Sequence, residues 1–422
     1  NGKGGTGTLK LGDAPVQTHF VRIWMTQSSN TPDIHGAQDI RNCVGYAIQT
    51  INVGAIIPGG EFVDAFPITT TNAAATTRPA GIAGRKHWPT FCVSSIDPWH
   101  SAADIVSGGG NQHSGFDLFF TSGLTNNLPA MIPVTLLYGT PDDAAAQIAY
   151  IEKRGYRIGW IEMGEEPDGK HTLPEDYAAL YIQWATAIHK VDPKLKLGGP
   201  IFEGVTEDIT VWPDAQSRTS WMGRFVDYLK AHGRISDLAF VSFEHYPFDG
   251  NITWNSLYQE PQLMQHILQV WRADGVPKNV PLKVTESSIA AELVGQMSQI
   301  YAALWLSDSI GSFFAAGGSA YFHSPIQPQP VSPGRGSRGS ASWSNFVSDK
   351  NYNITGYTSF YWAAHMINLE WVQHRSGVHQ MFPSTTGITD NQGNTLVTSY
   401  AVLRPDGNWS LLLVNRDEDN PH

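Results

Sequence analysis

Two glutamates in this chain are seated for chemistry that needs a pair of carboxyl groups. Glu166 lies in the run Trp160-Ile-Glu-Met-Gly-Glu-Glu-Pro-Asp168, and Glu286 in Leu282-Lys-Val-Thr-Glu-Ser-Ser288. Each closes a short apolar run that reads as a buried strand and precedes a loop and a helical pattern. In a parallel barrel, catalytic groups collect at that edge of the strands. Two carboxyl groups facing each other across a glycosidic bond can break it, one as acid, the other as base or nucleophile. An acid at Glu166 needs a raised pKa, and the adjoining Glu165 is a like charge that disfavours ionisation. Glu-Glu-Pro-Asp also suits a solvated acidic turn at a helix entry. Glu286 has no basic neighbour in sequence, and Ser287 and Ser288 would serve either as donors to a carboxylate or as caps of the next helix.

Other polar side chains close other strands. His245 and Tyr246 end the sixth expected strand, His323 the eighth and Tyr138 the third, so all four are expected to face one mouth and to hydrogen-bond a sugar or a catalytic carboxylate. A tyrosine hydroxyl beside a nucleophile would hold it ionised and oriented. His245 and Tyr246 also fit a satisfied core pair. Arg22, on the first expected strand, would be a costly buried charge unless paired with Glu162 or Glu286.

The elements that must position these groups alternate. Strands are expected at 19–25, 90–94, 130–138, 157–164, 194–201, 238–245, 281–285 and 318–323. Helical patterns lie at 39–51, 115–128, from 141, 172–188, 220–232, 261–273, 290–316 and 358–369. Pro133 is at odds with the third strand, since proline removes a ladder hydrogen bond. Eight strands alternating with helices predict an α/β fold, a (β/α)8 TIM barrel spanning 18–372. Beyond residue 375 the pattern changes. Residues 399–404 and 409–415 flank Pro405-Asp-Gly-Asn as a β-hairpin, with a further strand at 378–382. Three strands seldom stand alone, so this sandwich-like β-sheet appendage, 373–422, is expected to be completed by residues 1–17 or by further chain.

Composition narrows the partners. The chain has 422 residues, 41% hydrophobic and 15% charged, with a net charge of −11. An acidic chain is a poor partner for nucleic acid, and no apolar stretch reaches the roughly 18 residues of a membrane span. Its 14 Trp, 15 Tyr and 18 Phe suit either stacking on sugar rings or a large aromatic core. Cys43 and Cys92 would form one disulfide or remain two thiols, and cannot make a four-cysteine zinc site. There is no His-x-His or His-Glu-x-x-His pair and no Gly-x-Ser-x-Gly elbow, which counts against metallohydrolase and serine-hydrolase chemistry. Low charge, few Lys and many Asn, Thr and Ser favour a secreted, extracellular or periplasmic protein.

Ile161-Glu-Met-Gly-Glu-Glu-Pro-Asp168 resembles the Gly-Asn-Glu-Pro signature of clan A glycoside hydrolases, and Phe243-Glu-His-Tyr-Pro-Phe248 resembles the His/Tyr element on their sixth strand. The C-terminal hairpin is similar to the β-sandwich that accompanies the barrel in the family of β-xylosidases and α-L-iduronidases. The resemblance covers about residues 130 to 325. It implies a retaining hydrolase with Glu166 as acid/base, Glu286 as nucleophile, carboxyl groups about 5–5.5 Å apart, and no metal or organic cofactor. The substrate class it implies is a β-linked plant or microbial polysaccharide or oligosaccharide. The chain departs from the signature at Glu165, where the clan carries Asn. A carboxylate there accepts from the sugar 2-hydroxyl but cannot donate. A barrel that binds carbohydrate without cleaving it is the rival reading, favoured by Glu165 and opposed by the presence of both Glu166 and Glu286. A transglycosylase would use the same two residues.

Overall fold

The computed structural model describes residues 54–56, 62–64, 116–137, 141–164, 166–170, 172–204, 220–248, 252–291, 294–323, 326, 329–330, 343–374 and 377–422. The chain divides into two compact units, residues 1–85 and 86–422. In the first, strands β1 (Gly54–Ile56) and β2 (Phe62–Asp64) form an antiparallel pair. All remaining elements belong to the second.

Six strands form one parallel sheet: β3 (Ala130–Thr135), β4 (Ile158–Gly164), β5 (Leu197–Phe202), β6 (Phe240–His245), β7 (Leu282–Ser287) and β8 (Ala320–Tyr321). They lie side by side in chain order, with no reversal. That is the order of a barrel wall, whereas a doubly wound sheet reverses midway. Helices α2 (Pro141–Lys153), α3 (Pro174–Val191), α4 (Trp221–Ala231), α5 (Trp254–Ala273) and α6 (Ile300–Ala315) connect them, and α1 (Phe116–Thr121) precedes β3. The result is a parallel half-barrel. The strands expected at 19–25 and 90–94 lie outside the described residues, as do Cys43 and Cys92.

The alternation of side chains gives the half-barrel two faces. Ile161, Met163, Val241, Phe243, Leu282 and Val284 join one buried apolar cluster with the helices. Trp160, Glu162, Ser242, Glu244 and Lys283 occupy the other face. Trp160 and Lys283 stand on strands three places apart, about 14 Å across a flat sheet, yet the Lys283 ammonium lies 3.8 Å from the Trp160 ring centroid. The sheet is therefore curled with this polar face inside. Pro133 is accommodated in β3 opposite Glu162, and its carbonyl accepts from the Gln147 side chain at 2.8 Å.

Three helices differ from the sequence expectation, and the first of them, expected over 115–128, ends at Thr121. The helix expected from 290 starts at Ile300. Ahead of it, Ser288 N–H donates to His245 O (3.1 Å) and Phe248 N–H donates to Ile289 O (3.3 Å), which holds the chain extended beside the β6 loop. The helix expected to start at Pro261 begins seven residues earlier, at Trp254, with Pro261 inside it. Proline has no N–H to give the carbonyl one turn back. That carbonyl, of Leu257, is taken instead by Arg416 Nη1 at 2.8 Å.

Arg416 follows the C-terminal sheet, in which β12 (Gln380–Phe382), β13 (Val397–Leu403) and β14 (Trp409–Asn415) pair antiparallel in that order. Before it come a small sheet of β9 (Gln329–Pro330), β10 (Phe346–Ser348) and β11 (Ile354–Tyr357), and helix α7 (Ser359–Met366). Tyr400, Val402, Leu412 and Val414 pack in one buried cluster with Trp305, Leu306 and Ile310 of α6. Gly311 permits this contact, because a Cβ there would stand 2.3 Å from the Tyr400 ring. At the centre, fully buried Arg416 pairs with fully buried Asp308 of α6 at 2.7 Å, and Asp308 also accepts from Thr398 (2.6 Å) and Tyr400 (2.5 Å).

Removing one partner of a buried pair leaves the other charge uncompensated. Arg416→Ala is expected to cost about 3–5 kcal/mol of stability, measured by urea denaturation of the full chain. A loss near zero would mean that Asp308 is neutral in the fold.

Candidate active site

The C-terminal ends of β4, β5, β6 and β7 meet at one end of the half-barrel, and each strand end or the loop after it brings a carboxyl group there. Glu286 is the next-to-last residue of β7. Regular alternation from Lys283, which faces inward, would turn Glu286 outward. The β6–β7 register shifts by one residue instead: Phe243 pairs with Val284, and Glu244 with Glu286. Thr285 is the extra residue, and Glu286 rejoins the inner face beside Glu244. The Glu286 side chain is solvent-exposed, and its Oε1 accepts from the Tyr246 hydroxyl at 2.5 Å. The Tyr246 ring lies 5.7 Å from that of buried Trp343.

Glu166 follows β4 with a left-handed backbone, φ +43°, which is uncommon for a residue with a side chain. Its N–H donates to the carbonyl of Ile201 (3.1 Å), itself left-handed at φ +59°. The Glu166 carboxylate pairs with the Lys170 ammonium at 2.5 Å across a single turn. Two residues on, the buried Asp168 carboxylate accepts from the backbone N–H groups of Glu203 (3.0 and 3.1 Å) and Gly204 (2.7 Å), tying the β4 loop to the β5 loop. Burial pushes Asp168 up to about 6, against the pull of those amides. The Glu203 carboxyl lies against Gly169, where an added Cβ would stand 1.6 Å from Glu203 Oε2, so a larger residue there would push the Glu203 side chain aside.

Glu244 joins these groups. It is buried, its carboxyl hydrogen-bonds Glu166, and its proton affinity is raised by burial first, then by the charges of Glu286, Glu166 and Glu203. Glu166 and Glu286 thus flank one shared neighbour. Deeper in the half-barrel Glu162 is pushed from the ordinary 4.5 up to about 7, chiefly by burial, with the Ser242 and Thr285 hydroxyls and Lys283 opposing and Glu286 adding to the rise. Burial in turn pulls Lys283 down to about 8.

The sequence placed some of this and missed the rest. Tyr246 reaches Glu286, and Glu166 and Glu286 each lie close enough to Glu244 to act on its charge. His245 does not face the mouth: its Nε2 is 2.6 Å from Glu260 Oε1 of α5, and its ring stacks at 6.1 Å on Trp305, which donates to the same carboxylate (3.2 Å). His323 is corrected likewise. It sits on the helix side, 4.4 Å from the Phe360 ring, with Nδ1 3.3 Å from Ser287 Oγ, and burial pulls it down to about 3, so the imidazole is neutral. Both follow from the period of two, which turns His245 and Ser287 away from Glu244 and Glu286. The same period assigns Glu244 to the inner face, a signal present in Phe243-Glu-His-Tyr246. Lys170, Asp168 and Glu203 were also missed. Glu165, Tyr138 and Arg22 lie outside the described residues. Among the described residues, no group of three or more His, Cys, Asp or Glu is placed to hold a metal ion, and no helix is long and apolar enough to cross a membrane.

No protein-family model matches this chain, and no curated protein matches it. Solved structures with a similar trace include a conserved exported protein from Bacteroides fragilis (13% identity, covering 67% of this chain and 60% of that one, TM-score 0.47). They also include CelM2, a bifunctional glucanase-xylanase from a metagenome library (15%, 65% and 57%, TM-score 0.43). A third is a family 39 β-xylosidase from Caulobacter crescentus (18%, 62% and 52%, TM-score 0.39). The chain spans less than two thirds of the length of each. Glycoside hydrolases of families 39 and 44 recur among these neighbours, and family 39 belongs to clan A.

Glu162 binds its proton more tightly folded than unfolded, so it weakens folding as pH rises from about 4.5, and the penalty is complete above about 7. A shift of that size corresponds to about 3 kcal/mol. Glu162→Gln is expected to stabilise the fold at about pH 8 by up to that amount more than at about pH 4, in paired urea titrations. An equal effect at both pH values would contradict a protonated Glu162.

Proposed function

We propose that this chain is a retaining glycoside hydrolase that cleaves β-linked plant or microbial polysaccharide, or its oligosaccharides, by double displacement. The observation that carries this reading is the meeting of Glu166 and Glu286 around Glu244, at the C-terminal ends of β4 and β7. Glu286, oriented by the Tyr246 hydroxyl, attacks the anomeric carbon. The glycosidic bond breaks with its electron pair on the leaving oxygen, and Glu166 delivers the proton that oxygen needs. Water then gives a proton to Glu166, attacks the anomeric carbon and releases Glu286 as carboxylate. Two inversions return the original configuration. A polymeric substrate goes with an extracellular or periplasmic setting.

The test is turnover of aryl β-glycosides and polysaccharides by the full chain, Glu166→Ala and Glu286→Ala. Glu286→Ala is expected to be inactive. Glu166→Ala should hydrolyse only substrates with good leaving groups and be rescued by azide, giving a β-glycosyl azide. An α product from the wild type would mean inversion, and sugar binding without turnover of any substrate would favour the binding-only barrel.

A further inference from the structure

Resting on that reading, we propose that Glu244 is a third carboxyl of the reaction centre: a positioning residue that holds one proton against Glu166 and passes it on as Glu286 becomes an ester. Its place in the fold is specific. Glu244 is 5% exposed and stands opposite Glu286 in the β6–β7 ladder, brought there by the one-residue register shift. Its carboxyl hydrogen-bonds Glu166, and its Oε1 is buried with no hydrogen-bond partner among the described residues.

The charged groups facing it, among the described residues, are Glu286 from β7, Glu166 with its Lys170 from the loop after β4, and Glu203 from the loop after β5. Burial and these three acids favour the neutral acid at Glu244. The Lys170 ammonium, 2.5 Å from Glu166, favours the carboxylate there. One proton therefore lies between the two carboxyls, on the Glu244 side. A carboxylic acid donating to a carboxylate makes a strong charge-assisted bond.

The arrangement times the proton's release. Glu286 is the largest charge acting on Glu244. When Glu286 attacks the anomeric carbon it becomes a neutral ester, and that repulsion vanishes. In the same step the proton passes from Glu244 to Glu166 and on to the leaving oxygen, which keeps the electron pair of the broken glycosidic bond. The cluster loses one negative charge at Glu286 and gains one at Glu244, so its total charge is unchanged. In the second step a water proton returns to the pair as the water oxygen displaces Glu286.

Two measurements on the full chain test this. The first is independent of turnover: infrared difference spectra at about pH 8, above the range in which Glu162 titrates. Wild type minus Glu244→Gln should contain a protonated-carboxyl band, and in Glu286→Gln that band should disappear at a lower pH than in wild type because one repelling charge is gone. Absence of the band in wild type, or an unmoved midpoint in Glu286→Gln, overturns the proposal. The second is the kcat/KM pH profile of Glu244→Gln. Its alkaline limb should move to lower pH, with unactivated substrates losing about 100-fold and 2,4-dinitrophenyl glycosides losing far less. Equal losses with an unmoved limb would mean a structural role only. A wild type without turnover would sink the hydrolase reading and leave the infrared result to decide the state of Glu244.

Discussion

Like charges crowded together repel, most strongly where burial removes the water that would screen them. That repulsion is the constraint around which this half-barrel is built. Glu162, Glu166, Asp168, Glu203, Glu244 and Glu286 converge on one end of it. Each described partner in that region answers part of the problem. Glu244 and Glu162 both have a strongly raised affinity for a proton. Asp168 is held by three contacts to two backbone amides. Glu166 has an ammonium and Glu286 a phenol hydroxyl. The different answers give chemically similar side chains different surroundings, and acid–base division of labour depends on such differences.

Backbone irregularity is what brings the acids close enough to interact. The β6–β7 register shifts beside Glu244, and the β5–β6 register shifts between Pro200 and Phe202, around left-handed Ile201. Ile201 then supplies the carbonyl that Glu166 N–H reaches. A β-branched residue at positive φ is costly, and it stands where the β4 and β5 loops have to meet. Regular strands would have turned Glu286 to the outer face, where the Ser287 hydroxyl now reaches the Phe322 carbonyl and His323.

Much of this was legible in the sequence because it depends on local period. The six described strands were expected within a few residues, since apolar runs closed by polar residues and followed by helical patterns carry strong signals. Glu166, Glu286 and Tyr246 were marked by lying at strand ends. Glu244 was passed over for its neighbour His245, although alternation alone separates the two. Glu286 was expected at the mouth from its place at a strand end, although a strict alternation would have placed it elsewhere; a bulge leaves no mark in composition. Lys170 lay beyond the motif read from the sequence, and the turn in which its N–H donates to the Glu166 carbonyl brings it back onto that carboxylate. The early start of α5 was hidden because its Pro261 is tolerated through Arg416, more than 150 residues away in the chain.

That last contact changes what the C-terminal sheet is. Arg416 closes the open carbonyl of α5, neutralises Asp308 on α6 and, through its own carbonyl, accepts from Trp254 at the start of α5. Helix α5 carries Glu260, and Glu260 fixes His245 one residue before Tyr246. The hairpin is therefore no detachable accessory module. A half-barrel cut free at residue 372 would keep an orphaned acid on α6 and an orphaned carbonyl on α5, the helix whose Glu260 holds His245 beside the tyrosine that steadies Glu286. Moving this appendage to another half-barrel would require carrying the Pro261, Asp308 and Arg416 positions across as a set.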